Sequence, residues 1–219
     1  QPREVMFTSR DRCDETVEIL RSVRVPRFKY IRNFLSYLPH AQPNQYKDGK
    51  IITKTMRKLN DGGKLNELQA RIFNPTRPKE ELYDLKSDPN ETVNLAEDSN
   101  YQKVLNSLRE SLYAQMERSR DVGLIPEPIL EDLGKRYGSK YEVLRRPENK
   151  TMVRDLIAII EEGESNNIAA LRKGLIDENP AVRYWAATWL GVRKNAEASQ
   201  ALVKATSDSI PAVRLAAAL

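Results

Sequence analysis

The spacing of apolar residues changes period several times along this chain, and each change marks an element. A short apolar run, Glu4 to Ser9 with Val5, Met6 and Phe7, predicts a buried strand, and Arg10-Asp11-Arg12-Cys13-Asp14-Glu15 follows as a dense charged turn. Val17 to Val25 and Phe28 to Leu35 predict paired strands joined at Pro26. Phe28, Tyr30 and Arg32 then share one face, and Lys29, Ile31 and Asn33 the other. Pro39 to Asp48, with its prolines and amides, predicts a surface loop that Gly49 lengthens. Ile51 to Leu59 and Lys64 to Ile72 have helical spacing and are broken at Asp61-Gly62-Gly63. Asn74-Pro75-Thr76-Arg77-Pro78 returns the chain to a strand at Leu82, Tyr83 and Leu85. Asp88-Pro89 ends that strand, because proline fixes φ and has no N–H to donate. Ser99 and Gln102 have capping-box spacing, and Tyr101, Val104, Leu105, Leu108, Leu112 and Met116 predict an amphipathic helix to about residue 120.

Farther on the texture changes. Pro126 and Pro128, then polar sequence through Pro147 and Asn149, predict an extended linker over 123–150. Asp177-Glu178-Asn179-Pro180-Ala181-Val182-Arg183 recurs 31 residues later as Asp208-Ser209-Ile210-Pro211-Ala212-Val213-Arg214, and Ala186-Ala187 recurs as Ala217-Ala218. This is an internal repeat at a solenoid period. Asp or Asn supplies the helix start, Pro takes the first helical position where its missing N–H costs nothing, and Val with small Ala lets helices approach closely. Met152 to Ile160 with Ile168 to Ile176, and Pro180 to Val192 with Glu197 to Ala205, are the predicted helix pairs. Each pair buries a face on its neighbour, so more units are expected past Leu219. Gln1 in place of an initiator Met adds to the expectation of a fragment. The organisation expected is α+β: a small antiparallel sheet packed on a long helix over 1–122, a linker over 123–150, and an all-α repeat tail over 151–219.

The ordered series Glu81-Leu82-Tyr83-Asp84-Leu85, Asp88-Pro89-Asn90-Glu91-Thr92 and Asn94-Leu95-Ala96 closely resembles the C-terminal subdomain of the sulfatase family. There a strand reading Leu-Tyr-Asp-Leu precedes Asp-Pro, then Glu, then Asn-Leu, and a helix follows. Upstream, Arg21-Ser22-Val23-Arg24 with Arg27-Phe28-Lys29-Tyr30-Ile31 is similar to the heparan N-sulfatase branch. The resemblance covers roughly residues 3–125. The repeat resembles the HEAT-like repeats of phycobilisome lyases, whose Asp and Arg pair between repeats. That implies the same structural role for Asp177, Arg183, Asp208 and Arg214.

Composition narrows the chemistry. The chain is 40% hydrophobic and 31% charged, ordinary for a globular protein, and no apolar run nears the roughly 20 residues of a membrane span. Its net charge of +5 is uneven: 17 Lys and Arg stand against 9 Asp and Glu in residues 1–80, and 19 against 22 beyond. A basic surplus can draw sulfated glycan, nucleic acid or a membrane surface, or can simply coat solvated faces. No basic stripe interleaved with stacking aromatics is present, which argues against nucleic acid. One His and one Cys exclude a zinc site of the usual composition and a redundant Ser-His-Asp or Cys-His apparatus. Neither an EF-hand loop nor a Gly-rich phosphate loop occurs.

The sulfatase resemblance implies a formylglycine, made from Cys or Ser in a Cys/Ser-x-Pro-x-Arg motif, and a calcium ion held by acidic and amide side chains. Around Cys13, Glu15 and Val17 stand where that motif needs Pro and Arg, so no catalytic or metal residue is assigned here and both cofactors are expected upstream. Two arginines can hold a sulfate through paired N–H donors, and neighbouring carboxylates can accept sugar hydroxyls. Arg10, Asp11, Arg12, Asp14 and Glu15 are therefore candidate substrate-rim residues, with His40 and Lys47 on the following loop. The expected function is the C-terminal part of a sulfuric ester or sulfamate hydrolase acting on sulfated glycans, inactive by itself. Its expected partner is the missing N-terminal catalytic domain, and the resemblance implies an extracytoplasmic location. The alternative is a non-enzymatic α+β plus HEAT-repeat interaction module. Asn90-Glu91-Thr92 and Asn149-Lys150-Thr151 also match N-glycosylation acceptors.

Overall fold

The computed structural model describes residues 3–193 and 196–219. The chain divides into two compact units, residues 1–115 and 116–219.

In the first unit β1 (Met6–Cys13), β2 (Thr16–Arg24), β3 (Phe28–Asn33) and β4 (Glu80–Asp84) form one antiparallel sheet in the order β1-β2-β3-β4. The charged run expected as a turn is instead the end of β1. Arg10 pairs with Leu20, Arg12 with Val17 and Cys13 with Thr16, and the register slips between Arg10 and Arg12. Only Asp14 and Glu15 are needed to turn the chain, because Asp14 takes a left-handed φ of 54° that an Asp side chain tolerates. Charge and a bulge on an edge strand also discourage pairing with another chain. Val5 and Met6, expected to be buried, are 43% and 44% exposed on this edge.

Opposite residues of an antiparallel pair share a face, so the registers define two faces. One carries the buried side chains of Val23, Tyr30 and Leu82. Helix α4 (Gln102–Ser119) lies over it, contributing buried Leu105, Leu108 and Leu112. Fully burying such a side chain is worth roughly 1.5–3 kcal/mol. Polar contacts fix the helix in place: Arg109 donates to Glu80 at 2.6 and 2.7 Å, Tyr30 donates to Glu80 at 2.6 Å, and Arg32 donates to the Tyr113 hydroxyl at 2.9 Å. Burial tends to raise the Glu80 carboxyl, but the bonds from Arg109 and Tyr30 outweigh it and hold it below its ordinary range.

The residues after β4 close the sheet's last edge. Leu95 N–H donates to the Leu82 carbonyl at 2.8 Å. Asn94 Oδ1 accepts from Leu82 N–H at 2.9 Å while its Nδ2 donates to the Glu80 carbonyl at 3.0 Å, so one amide side chain imitates a neighbouring strand. Asp88 accepts from Thr92 and Val93 N–H at 2.7 and 2.8 Å, which ties the turn, and Glu91 at φ 55° reaches Lys29 at 2.7 Å. Arg27 grips Asp84 with Nε and Nη2 and draws its carboxyl down to about 2. The helix start differs from the expected box: Asp98, not Ser99, accepts from Asn100 N–H, because a 3-10 turn over Ser99–Tyr101 precedes α4.

Between β3 and β4 the chain makes a helical excursion of α1 (Gln45–Asp48), α2 (Ile51–Asp61) and α3 (Glu67–Ala70), followed by a 3-10 turn over Arg71–Phe73. Asn44 caps α1, giving helical structure to a stretch expected as loop. The helix expected from Lys64 starts only after Asn66, which forms a capping box with Gln69.

In the second unit, the stretch 123–150 expected as an extended linker is helical, with α5 (Glu127–Tyr137) and α6 (Lys140–Val143). Pro128 sits in the first turn of α5, where its missing N–H costs nothing, and Gly138 at φ 92° ends the helix. Ile129, Leu130 and Val143 are buried. The tail comprises α7 (Met152–Glu164), α8 (Ile168–Gly174), α9 (Pro180–Arg193), α10 (Ala196–Ala205) and α11 (Pro211–Ala218). Trp185 Nε1 donates to the buried Leu124 carbonyl at 2.8 Å. Arg183 grips Asp208 of the next repeat at 2.7 and 3.0 Å, and its Nη1 donates to the carbonyls of Asp177 and Glu178. Arg214 repeats those carbonyl contacts on Asp208 and Ser209. Arg183 and Asp208 thus join one repeat to the next, whereas the Asp177 carboxylate and Arg214 bond within their own turns.

Small residues let these helices approach. A Cβ on Gly163 would overlap the Trp189 ring, whereas one on Gly191 meets nothing within 4 Å. Gly163→Ala is expected to destabilise the chain by about 1–3 kcal/mol through overpacking, despite its better helix propensity. Gly191→Ala is expected to stabilise it by about 0.5–1 kcal/mol in urea denaturation.

Candidate functional site

The sheet face opposite α4 is polar. Thr8 and Arg10 of β1, Ser22 of β2, Lys29, Ile31 and Asn33 of β3, and Glu81 and Tyr83 of β4 lie on it by register, and Glu18, two residues before Leu20, shares it. Glu18, Ser22, Asn33 and Glu81 are buried. Their partners are close. Arg77 Nη1 donates to Glu18 at 2.5 Å, Asn33 Nδ2 donates to Glu81 at 2.6 Å and to the Pro78 carbonyl at 2.8 Å, and the Tyr83 hydroxyl donates to Glu81. Thr8 and Ser22 hydroxyls share a bond of 2.6 Å. Asn33 Oδ1 is buried without a partner among the described residues, a cost of about 1–3 kcal/mol.

The loop after β3 covers one end of this face. Arg77 donates to the Leu38 and Pro39 carbonyls at 3.0 and 2.6 Å, Gln42 donates to the Val17 carbonyl at 2.9 Å, and Asn44 donates to the buried Thr16 hydroxyl at 3.1 Å. His40 sits half-buried in this loop. Burial lowers its pKa, and the positive charges of Arg77 and Arg10 lower it further against the opposing pull of Glu81 and Glu18. The imidazole therefore favours its neutral form.

The candidate rim residues divide by what holds them. Asp11 pairs with Arg21 at 2.8 Å, Arg12 Nε donates to the Asp14 carbonyl at 2.8 Å, and Glu15 accepts from Gln45 N–H, which lowers its pKa. These three are engaged in holding the hairpin and the loop beside it. The Arg10 side chain makes no hydrogen bond or ion pair among the described residues, and its charge is felt at His40. Asp14 stands at the exposed hairpin tip and Lys47 on exposed α1. Cys13 is exposed and unpaired. Among the described residues no group of three or more His, Cys, Asp or Glu could hold a metal ion.

Sequence reading missed Glu18, Asn33, Arg77, Glu81 and Tyr83. In β2, Thr16, Glu18 and Ser22 alternate with Val17, Ile19 and Val23, a partial signal of a polar face that Leu20 and Arg21 interrupt. In the repeat unit a groove of about 380 Å³ is lined by Arg172, Ile176, Glu197 and Lys204, and Arg172 pairs with Glu197 at 3.2 Å. Both of those side chains are 58% exposed, so the pair contributes little.

The class defined by this fold and face is a small antiparallel sheet backed by one long helix, followed by paired helical repeats. Residues 168–219 match the family model of HEAT repeats. A 128-residue stretch, 58% of this chain, is 37% identical to an ulvan-active sulfatase of Formosa agariphila. A second ulvan-active sulfatase of that organism is 28% identical over 149 residues, 64% of this chain. The matches span only 22% and 27% of those relatives' lengths. The chain is thus similar to part of a sulfatase. Among the described residues no helix is long and apolar enough to cross a membrane.

His40 is the only histidine, so its titration is unambiguous by NMR. Its midpoint is expected below the unfolded value of about 6.5. A depressed midpoint means that the stability tied to neutral His40 is fully present above that value and is lost as pH falls through the folded one. A midpoint at or above 6.5 would contradict the burial described.

Proposed function

We propose that this chain is a scaffold portion of a sulfatase acting on a sulfated glycan, with its nucleophile and metal carried elsewhere in the polypeptide. One observation carries the reading. In the stretch that resembles sulfatases, Asp84, Asp88, Glu91 and Asn94 are all bound to Arg27, to backbone groups or to Lys29, so each has a structural task. The 37% identity to part of an ulvan-active sulfatase supports the same reading, and ulvan is the first substrate to assay. Arg10 and His40 would line the substrate rim, with Asp14 at the hairpin tip. Arg10 supports this through its unpaired guanidinium, which can take a sulfate with two N–H donors. Such a rim would bind substrate without entering the bond-breaking step. Calcium and a formylglycine would belong to the upstream part of the polypeptide, and the protein would work outside the cytoplasm.

The test is sulfate release from ulvan and other sulfated glycans. The complete polypeptide is expected to show metal-dependent turnover, and residues 1–219 alone none. In the complete enzyme Arg10→Ala should raise KM about tenfold, equivalent to about 1.4 kcal/mol, with kcat nearly unchanged. Turnover by the isolated chain, or a complete polypeptide lacking a Cys/Ser-x-Pro-x-Arg motif, would sink the proposal.

A further inference from the structure

The excursion between β3 and β4 is anchored at both ends and has no core between them. Asn44 and Arg77 are buried, yet no side chain from residue 45 to residue 76 is. Helix α2 has 11 residues, too few to be stable in water by propensity, so it needs an apolar face packed against something. What packs it here is thin. Arg57 donates to Asp48 at 2.9 Å and to the Ala41 and Gln42 carbonyls at 3.3 and 3.4 Å, and it lies 5.8 Å from the Phe73 ring centre.

Several apolar side chains of this segment are exposed. Ile51 is 83% exposed, Ile52 71% and Tyr46 67%, and the Lys50 ammonium lies 4.1 Å from the Tyr46 ring centre. Ile52, Met56 and Leu59 follow one helix face at i, i+4 and i+7, with Met56 and Leu59 half-buried. Around them stand Lys47, Lys50, Lys54 and Lys58. Solvent-exposed isoleucines adjacent in one turn, rimmed by like charge, mark a surface that a partner covers. The fitting partner has an apolar centre and an acidic rim.

We infer that this surface docks the remainder of the sulfatase polypeptide. The inference rests on the sulfatase reading above. The chain spans about a quarter of its relatives, so about three quarters of each relative's polypeptide lies outside the match and is large enough to supply that partner face. An excursion stapled by Asn44 and Arg77, but stabilised from outside, would order α2 only when the remainder is in place.

Hydrogen exchange separates the possibilities. In the isolated chain the α2 amides should exchange fast, and in the complete polypeptide at least about tenfold more slowly. Ile52→Asp should leave the isolated chain's Tm unchanged and lower that of the complete polypeptide. An active complete enzyme in which α2 stays unprotected, or in which Ile52→Asp is equally silent, overturns this inference and leaves the sulfatase reading standing. Protection in the isolated chain that grows with its concentration would name a second copy as the occupant and also overturns it. A complete polypeptide without sulfatase activity overturns the reading on which the occupant was named.

Discussion

The buried ion pair between Glu18 and Arg77 is the contact on which the first unit depends. Both side chains are nearly sealed from solvent, at 4% and 2% exposure, so each would be costly without the other. Arg77 uses its remaining donors on the carbonyls of Leu38 and Pro39, and its backbone N–H bonds the Ser36 carbonyl. One guanidinium thereby joins β2, the loop that leaves β3 and the segment that returns to β4. Asn44, bonded to Thr16, does the same at the far end of that loop. The helical excursion is pinned where it leaves and where it returns, and Arg57 ties the helix between them back to that loop through the Ala41 and Gln42 carbonyls.

The sheet follows from that arrangement. Its apolar face is covered by α4, and its polar face is filled by paired charges and amides that satisfy one another. Most buried polar groups of that face are committed to one another, and Asn33 Oδ1 is left without a partner among the described residues. The same holds for the turn after β4, where Asp88 and Asn94 substitute side-chain bonds for a missing strand. In the second unit the Arg183–Asp208 contact joins successive repeats while Gly163 and the buried alanines set how near the helices come. Both units therefore use polar residues as fasteners.

Much of this was readable from the residues. β2, β3 and β4 and the two helix pairs follow from period and from the Pro-x-Val-Arg repeat. The end of β1 was hidden because Arg10 to Cys13 have the composition of a turn, and only an edge strand can carry them. The helices over 123–150 were hidden by Pro126 and Pro128, which break a helix inside but are harmless at its start. The Glu18–Arg77 pair joins residues 59 positions apart, and no local pattern announces it. Sequence put the rim candidates at the hairpin but could not tell that Asp11, Arg12 and Glu15 are engaged there while the Arg10 side chain has no bonded partner among the described residues.

A double-mutant cycle on Glu18→Gln and Arg77→Met, followed by urea denaturation, tests the central role of the ion pair. Each single substitution strands a buried polar partner and is expected to cost about 3–5 kcal/mol. The double variant should cost less than the sum, with a coupling of about 2–3 kcal/mol. Single losses below about 1 kcal/mol that simply add would show that Arg77 does not hold the polar face together.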